Sequence, residues 1–165
     1  MTTFSTVLYS LRSPNLAFRR VLSTRVEEPR AFAWLVSACL LFFLARLPLL
    51  SREAHLNPEM PQLESIIGGV LIGSLFIAPL VLYSIAALSC LFLRMKFKML
   101  NWMDSRVAFF WSLLAVTPLV LLRGILAGFL ESNLILNLAS ILIFFYFLYV
   151  WASCTSIITK VINVK

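Results

Sequence analysis

Apolar residues in this chain fall into four long runs that few charges interrupt. The runs cover residues 31–50, 66–93, 107–130 and 134–158. A helix needs about 20 apolar residues to cross the roughly 30 Å hydrocarbon core of a bilayer, and each run reaches that length. The pattern predicts an all-α fold, a polytopic transmembrane helical bundle of four spans.

The second run is longer than one crossing requires. It extends for 28 residues without a charge and contains Pro79. It fits one tilted or kinked span, or two short re-entrant pieces. We favour the single span, because exposed backbone inside lipid is costly without a polar cavity.

The segment before the first span, residues 1–30, is amphipathic and basic. Its early apolar residues follow the i, i+3, i+4, i+7 spacing of one helix face, and they are Phe4, Val7, Leu8 and Leu11. Further apolar residues after Pro14 alternate with Arg19 and Arg20. This pattern favours short helices that lie in the membrane interface, and the alternative is a loose arm.

Basic residues collect on one side of the predicted bundle. That side holds eleven of them, namely Arg12, Arg19, Arg20, Arg25, Arg30, Arg94, Lys96, Lys98, Arg106, Lys160 and Lys165. Loops rich in Lys and Arg stay in the cytoplasm, so we expect a cytoplasmic N-terminus and a cytoplasmic tail at residues 159–165. The tryptophans, which prefer the headgroup level, fall toward the same side: Trp34, Trp102, Trp111 and Trp151.

The basic segments predict contacts with lipid. We expect Arg19 and Arg20 in the N-terminal segment, and Lys96 and Lys98 in the loop between spans two and three, to meet anionic headgroups of the inner leaflet. A protein partner could use the same loop surface.

Composition narrows the function classes. The chain is 61% hydrophobic with a net charge of +7, but it offers no soluble face on which a nucleic-acid site could cluster its charge. Cys39, Cys90 and Cys154 lie inside apolar runs, and His55 is the single histidine, so we expect no metal and no cofactor. No catalytic motif is present, and no cleavable signal peptide is recognisable, so we expect the first span to stay as its own insertion signal.

Two arginines interrupt the spans. Arg46 and Arg123 both fall in the outer half of the predicted bundle. Charges inside a membrane often mark a functional site, but arginines near helix ends also snorkel to the interface. Pairing with Glu53, Glu64 or Glu131, or snorkelling, is the first interpretation, and an anion pathway is the second.

Small residues and prolines repeat between spans two and three. Gly69 with Gly73, and Gly124 with Gly128, have the GxxxG spacing that lets helices approach closely, which predicts tight packing of these two spans. Pro79 and Pro118 lie at matching depth. We expect kinks at both prolines, with freed carbonyls accepting from hydroxyls such as Ser112 or Thr117.

Three motifs carry a resemblance to a known family. They are RLPLLSREAHL at residues 46–56, AP-L-Y-AALS at residues 78–89, and R-A-FW-LL---PL-LL-G---GF at residues 106–129. Over roughly residues 25–155 the chain resembles the bacterial branch of the Yip (Ypt-interacting protein) family. The resemblance implies a small polytopic protein of the bacterial inner membrane with a cytoplasmic N-terminus, and it implies no catalytic residue. Eukaryotic members usually have five spans, whereas four are predicted here.

Two functions fit these features. The first is a non-enzymatic inner-membrane protein that organises the membrane or serves as an accessory or assembly partner of another membrane complex, through lipid contacts, a second membrane protein or self-association. The alternative is a small anion transporter or channel that uses Arg46 and Arg123. An intramembrane enzyme comes last, since it lacks candidate residues.

Overall fold

The computed structural model describes residues 7, 10, 14–23, 26–57, 62–96, 101–130 and 133–163, and their regular structure is all helical. In chain order the elements are α1 (Pro14–Ser23), α2 (Glu28–Leu56), α3 (Leu63–Ile72), a π-helical turn (Gly73–Ile77), α4 (Ala78–Lys96), α5 (Trp102–Phe129) and α6 (Asn133–Asn163). Four helical stretches are long and apolar enough to cross a membrane. The predicted all-α bundle of four spans is confirmed.

The second span is one crossing. Its helix is continuous over Leu63–Met95 and passes through α3, the π-helical turn and α4. The π-helical turn ends two residues before Pro79, and the Ala78 N–H that follows it donates to the Gly73 carbonyl five residues back. Proline cannot donate to the helix and its ring crowds the carbonyl four residues earlier, so the wider turn relieves that crowding.

At Pro118 a side-chain hydroxyl compensates for the lost backbone hydrogen bond. α5 continues through it from Trp102–Phe129. Because Pro118 lacks an N–H, the Leu114 carbonyl loses its usual helical donor. The Thr117 hydroxyl donates to this carbonyl at 2.7 Å, which is the hydroxyl rescue expected from the sequence.

α5 lies at the centre of the bundle. Of its most apolar stretch, 56% is buried inside the protein, against 33% for α2, 11% for α6 and 6% for the second span. α5 packs on α2, on α6 and on the second span, whereas the described residues of α6 and the second span do not pack extensively on each other. The outer faces of these two peripheral spans are therefore apolar and exposed.

α2 and α5 run parallel, since contacts join both pairs of ends. Near their starts, an Arg106 guanidinium nitrogen lies 2.8 Å from a Glu28 carboxylate oxygen. Near their ends, the Arg52 guanidinium donates to the Leu130 carbonyl. We call the end of the bundle near Glu28 and Arg106 the basic end, and the end near Leu130 the opposite end.

Two glycines of α5 allow α2 and α5 to pack closely. A Cβ on Gly124 would overlap the Ala45 carbonyl oxygen, and one on Gly128 would lie 2.9 Å from Pro48 Cβ. Gly69 and Gly73 have nothing within 4 Å of such a Cβ. The predicted glycine packing of spans two and three is therefore wrong: the partner of Gly124 and Gly128 is the first span.

α1 forms as predicted, but protein covers its apolar face. Ala17, Phe18 and Val21 are buried, while Leu16, Arg19 and Arg20 are exposed. α1 packs against α6, where the Ser153 hydroxyl donates to the Asn15 side-chain oxygen. The apolar face of α1 is thus docked on the bundle, and its position in the membrane interface stays a prediction.

Two of the four tryptophans lie in the protein core, and their depth in the membrane stays a prediction. Trp34 and Trp111 pack edge to face in the core, with ring centroids 5.1 Å apart, and only 1% of Trp111 is exposed. The Trp111 indole N–H finds no acceptor among the described residues. Packing between α2 and α5 therefore fixes these two rings, whereas Trp102 is exposed.

Candidate functional site

A cavity of about 700 Å³ lies over α5, in the space between α6 and the second span. All four spans contribute to its walls. Along α5 the lining extends from Phe109 to Arg123, a distance of about 20 Å at the rise of an α-helix. Because the described residues of α6 and the second span do not pack extensively on each other, the long cavity can open sideways between them.

Arg123 provides the charge of this cavity. Its Nε donates to the Ser140 hydroxyl at 2.6 Å and to the Leu136 carbonyl at 3.3 Å. The Ser140 hydroxyl in turn donates to the same Leu136 carbonyl at 2.7 Å. The guanidinium is therefore oriented through Nε by α6, and its four terminal N–H groups have no partner among the described residues.

No carboxylate neutralises Arg123 within the described part of the chain. Of the acidic partners suggested by the sequence, Glu53 and Glu64 form no ion pair with it, and Glu131 lies outside the described residues. The group is half-buried, and an unpaired charge in apolar surroundings is unfavourable. An anion is thus the natural complement of this end of the cavity.

The rest of the lining is aromatic and aliphatic. Phe109 of α5 and Phe147 of α6 pack edge to face with centroids 5.7 Å apart, and Trp151 lies toward the basic end. The Ser89 hydroxyl, which also lines the wall, donates to the Ala86 carbonyl at 2.8 Å. The cavity therefore has one cationic end and a long apolar body.

Arg46 does not line the cavity that holds Arg123, and its side chain is exposed on α2, ten residues before the end of that helix. Its neighbour Ala45 contacts Gly124, the neighbour of Arg123, so the two arginines lie at similar depth on packed helices. Of the two arginines that the sequence suggested for an anion pathway, only Arg123 lines the cavity.

A second concave surface lies between α1 and α6 at the basic end. This groove of about 500 Å³ is lined by Asn15, Leu16, Arg19, Tyr149, Ala152, Ser153, Ser156, Ile157 and Lys160. Arg19 and Lys160 are exposed, so two cationic side chains flank a surface that also carries hydroxyls. We call it the basic groove. The Ser153 and Ser156 hydroxyls donate within the protein, so the ammonium and guanidinium groups are the donors that phosphate oxygens would accept from here.

Arg106 ties three spans together at the basic end. Besides its ion pair with Glu28, its guanidinium donates to the Tyr83 hydroxyl, and its Cζ lies 5.4 Å from the centre of the Tyr83 ring. Its Nε donates to the Trp102 carbonyl at 3.4 Å. The partners lie on α2, α4 and α5, so Arg106 positions helices and does not line the cavity of Arg123.

The other predicted headgroup contacts are only partly described. Arg20 is exposed on α1 but does not line the basic groove. Lys96 ends α4, and Lys98 lies outside the described residues. Sequence reasoning missed Ser140, whose position in the fourth span at a depth similar to that of Arg123 was the available signal. It counted Lys160 only as a tail charge and not as a neighbour of Arg19.

Comparison with known proteins found no match to a family model, to a curated protein or to a solved structure. The resemblance to the Yip family stays a prediction from the sequence motifs.

Proposed function

We propose that this chain is a non-enzymatic membrane protein that binds anionic lipid at its basic end and thereby organises the surrounding membrane. The observation that carries the proposal is the basic groove, where Arg19 of α1 and Lys160 of α6 flank a surface of mixed polar and apolar side chains. Charged lipid headgroups attract basic side chains, with about 1 kcal/mol for each Lys or Arg near the surface.

The docking of α1 supports this role. Phe18 and Ala17 are buried against the bundle, so Arg19 is held beside Lys160 on a fixed helix. A preformed pair of cations binds a headgroup with less loss of side-chain freedom than two mobile arms would.

Hydrogen bonds within the spans support the non-enzymatic part of this proposal. The described hydroxyls of Ser84, Ser112 and Ser140 donate to helix carbonyls at 2.7 to 2.9 Å. Hydroxyls that donate to the carbonyl of the preceding turn are committed to the helix backbone, where they often bend the helix. An anion pathway finds less support, since Arg46 is not among the residues that line the cavity of Arg123.

We further propose that the basic end faces the cytoplasm of a bacterial cell and that the chain resides in the inner membrane. The asymmetry of basic residues supports this orientation, with Arg30, Arg94, Arg106 and Lys160 at one end of the described bundle.

The test is extraction of the full-length protein with its surrounding bilayer in a membrane-active polymer, followed by mass spectrometry of the lipids and proteins that stay bound. Anionic phospholipid should be enriched over the bulk membrane around the parent protein. The double variant Arg19→Gln with Lys160→Gln should lose about two thirds or more of that enrichment, since two attractive charges are removed.

Arg20→Gln is the matched control for the single variant Arg19→Gln, because each removes one charge from α1 and only Arg19 lines the groove. It should retain most of the enrichment. Equal lipid profiles for the parent and the double variant would refute lipid binding at the groove. A stoichiometric second protein in the same preparation would instead favour the accessory role, for which the exposed apolar face of the second span offers the contact area.

A further inference from the structure

We infer that the cavity over α5 binds a single-chain anionic amphiphile, a long-chain carboxylate whose head lies at Arg123 and whose hydrocarbon chain extends toward the basic end. This inference goes beyond the proposed function, because the cavity and the basic groove share no lining residue.

The charge distribution identifies the head. Among the described lining residues Arg123 alone is charged, and the hydroxyl protons of Ser140 and Ser89 are donated to helix carbonyls. The occupant must therefore supply the negative charge. A guanidinium with free terminal N–H groups can hold a carboxylate by two parallel hydrogen bonds.

The depth of Arg123 favours a small head. The residue lies six positions before the end of α5, about 9 Å along the helix axis. A carboxylate at that depth exposes only its own two oxygens to an apolar environment, and Arg123 satisfies them. A phospholipid reaching the same point would also bring its glycerol esters below the interface, where they would lack donors.

The length and lining of the cavity suit one acyl chain. Its wall along α5 extends for about 20 Å. This exceeds the thickness of about 15 Å that the acyl chains of one leaflet occupy, so one such chain fits along the wall. Phe109, Phe147 and Trp151 line the part away from Arg123 and offer apolar contact along the chain. Residues of α6 and of the second span line opposite walls without extensive packing between the two spans, so a chain can enter laterally from the bilayer.

The experiment measures binding of a fluorescent polyene fatty acid, and of its methyl ester, to the purified full-length protein in lipid nanodiscs. Energy transfer from tryptophan reports occupancy, since Trp151 lines the cavity. In the parent protein the acid should bind at least about tenfold more tightly than the ester, because charge-assisted hydrogen bonds to the head are lost in the ester. Arg123→Leu should reduce binding of the acid to the level of the ester.

Two variants complete the test. Arg46→Leu removes an intramembrane arginine that does not line the cavity, and it should leave the ratio of acid to ester unchanged. Val116→Phe adds volume to the wall and should weaken binding of both probes.

Equal affinity of the parent for the acid and the ester would overturn the inference, and this comparison needs no variant that could fail to fold. Displacement of the acid by an anionic phospholipid at equal concentration would overturn the single-chain assignment. Loss of lipid enrichment at the basic groove would leave the cavity result unchanged, so the two proposals fail separately.

Discussion

At the scale of single residues, the hydrogen atom that serves as the side chain of Gly124 allows two helix backbones to touch. Ala45 of α2 occupies the space that any larger side chain at this position would need, with its carbonyl carbon 2.7 Å and its Cα 2.8 Å from the ideal Cβ position. Backbone atoms cannot rotate away as a flexible side chain can, so accommodation requires the helices to separate.

We expect Gly124→Ala to destabilise the protein by about 1–3 kcal/mol, the usual cost of overpacking, and Gly124→Leu to destabilise it further. The measurement is the midpoint of thermal unfolding in mild detergent, followed by the fraction of protein that stays monodisperse. Gly69→Ala is the control, because a Cβ there meets nothing within 4 Å and alanine favours the helix. Equal midpoints for Gly124→Ala and Gly69→Ala would contradict the close contact.

Individual residues were predicted from the sequence where the cause is local. Thr117 and Pro118 are neighbours, so the hydroxyl that rescues the Leu114 carbonyl could be anticipated. The partner of Gly124 could not, because GxxxG spacing states that a helix can approach closely and not which helix does so. Ala45 has no such motif of its own that would have identified it.

At the scale of elements, α1 tests whether an amphipathic helix belongs to the bundle or to the interface. Phe18 is fully buried, whereas 53% of Leu16 on the same helix is exposed. Both are large apolar residues of one ten-residue helix. Comparing their substitutions therefore separates the effect of losing packing against the bundle from the effect of removing any apolar side chain.

Phe18→Ala should undock α1, because removal of a buried phenylalanine costs about 3–5 kcal/mol. We expect trypsin to cleave the purified protein at Arg19 or Arg20 at least tenfold faster in this variant. Leu16→Ala should be cleaved at nearly the parent rate, since exposed substitutions usually change stability by less than about 0.5 kcal/mol. Parent-like cleavage of both variants would show that α1 does not depend on this packing.

The existence of the long helices could be predicted because the length of each apolar run directly reports a bilayer crossing. Their ends could not. α2 continues for six residues past the predicted span, through Arg52 and Glu53 to Leu56. Charged residues such as these end an apolar run in the sequence but do not end the helix. Arg and Glu are good helix formers, and water or a neighbouring helix can solvate their side chains.

At the scale of the whole molecule, the proposed orientation has a direct chemical test. Asn57 and Asn101 are both exposed and lie just beyond helix ends, at the opposite end and the basic end respectively. The native Cys39, Cys90 and Cys154 are buried, so the parent protein should react slowly with thiol reagents.

In intact bacterial cells stripped of their outer membrane, a membrane-impermeant maleimide should label Asn57→Cys and spare Asn101→Cys. Permeabilisation should make both sites reactive. Labelling of Asn101→Cys before permeabilisation would reverse the orientation. Parent protein treated in parallel measures the background from the buried thiols.

The arrangement of the four spans could not be predicted from the sequence. All of them are apolar around most of their circumference, so no stripe identifies the central helix. α5 becomes the centre through Gly124, Ala127 and a row of consecutive buried residues from Val107 to Thr117, which only the packed structure distinguishes from lipid-facing sequence. The same limitation concealed the cavity, whose walls come from four separate segments.

The parallel contact between α2 and α5 has a consequence for biogenesis. The two helices that pack most extensively are not consecutive, so α2 enters the bilayer before its main partner has been synthesised. Ribosomes add about 5–20 residues per second, so α2 waits for several seconds with Ala45 and Pro48 uncovered. During that interval α2 must be held in the membrane by its own hydrophobicity, by insertion factors or by the second span, which also packs on it but leaves Ala45 and Pro48 for the glycines of α5.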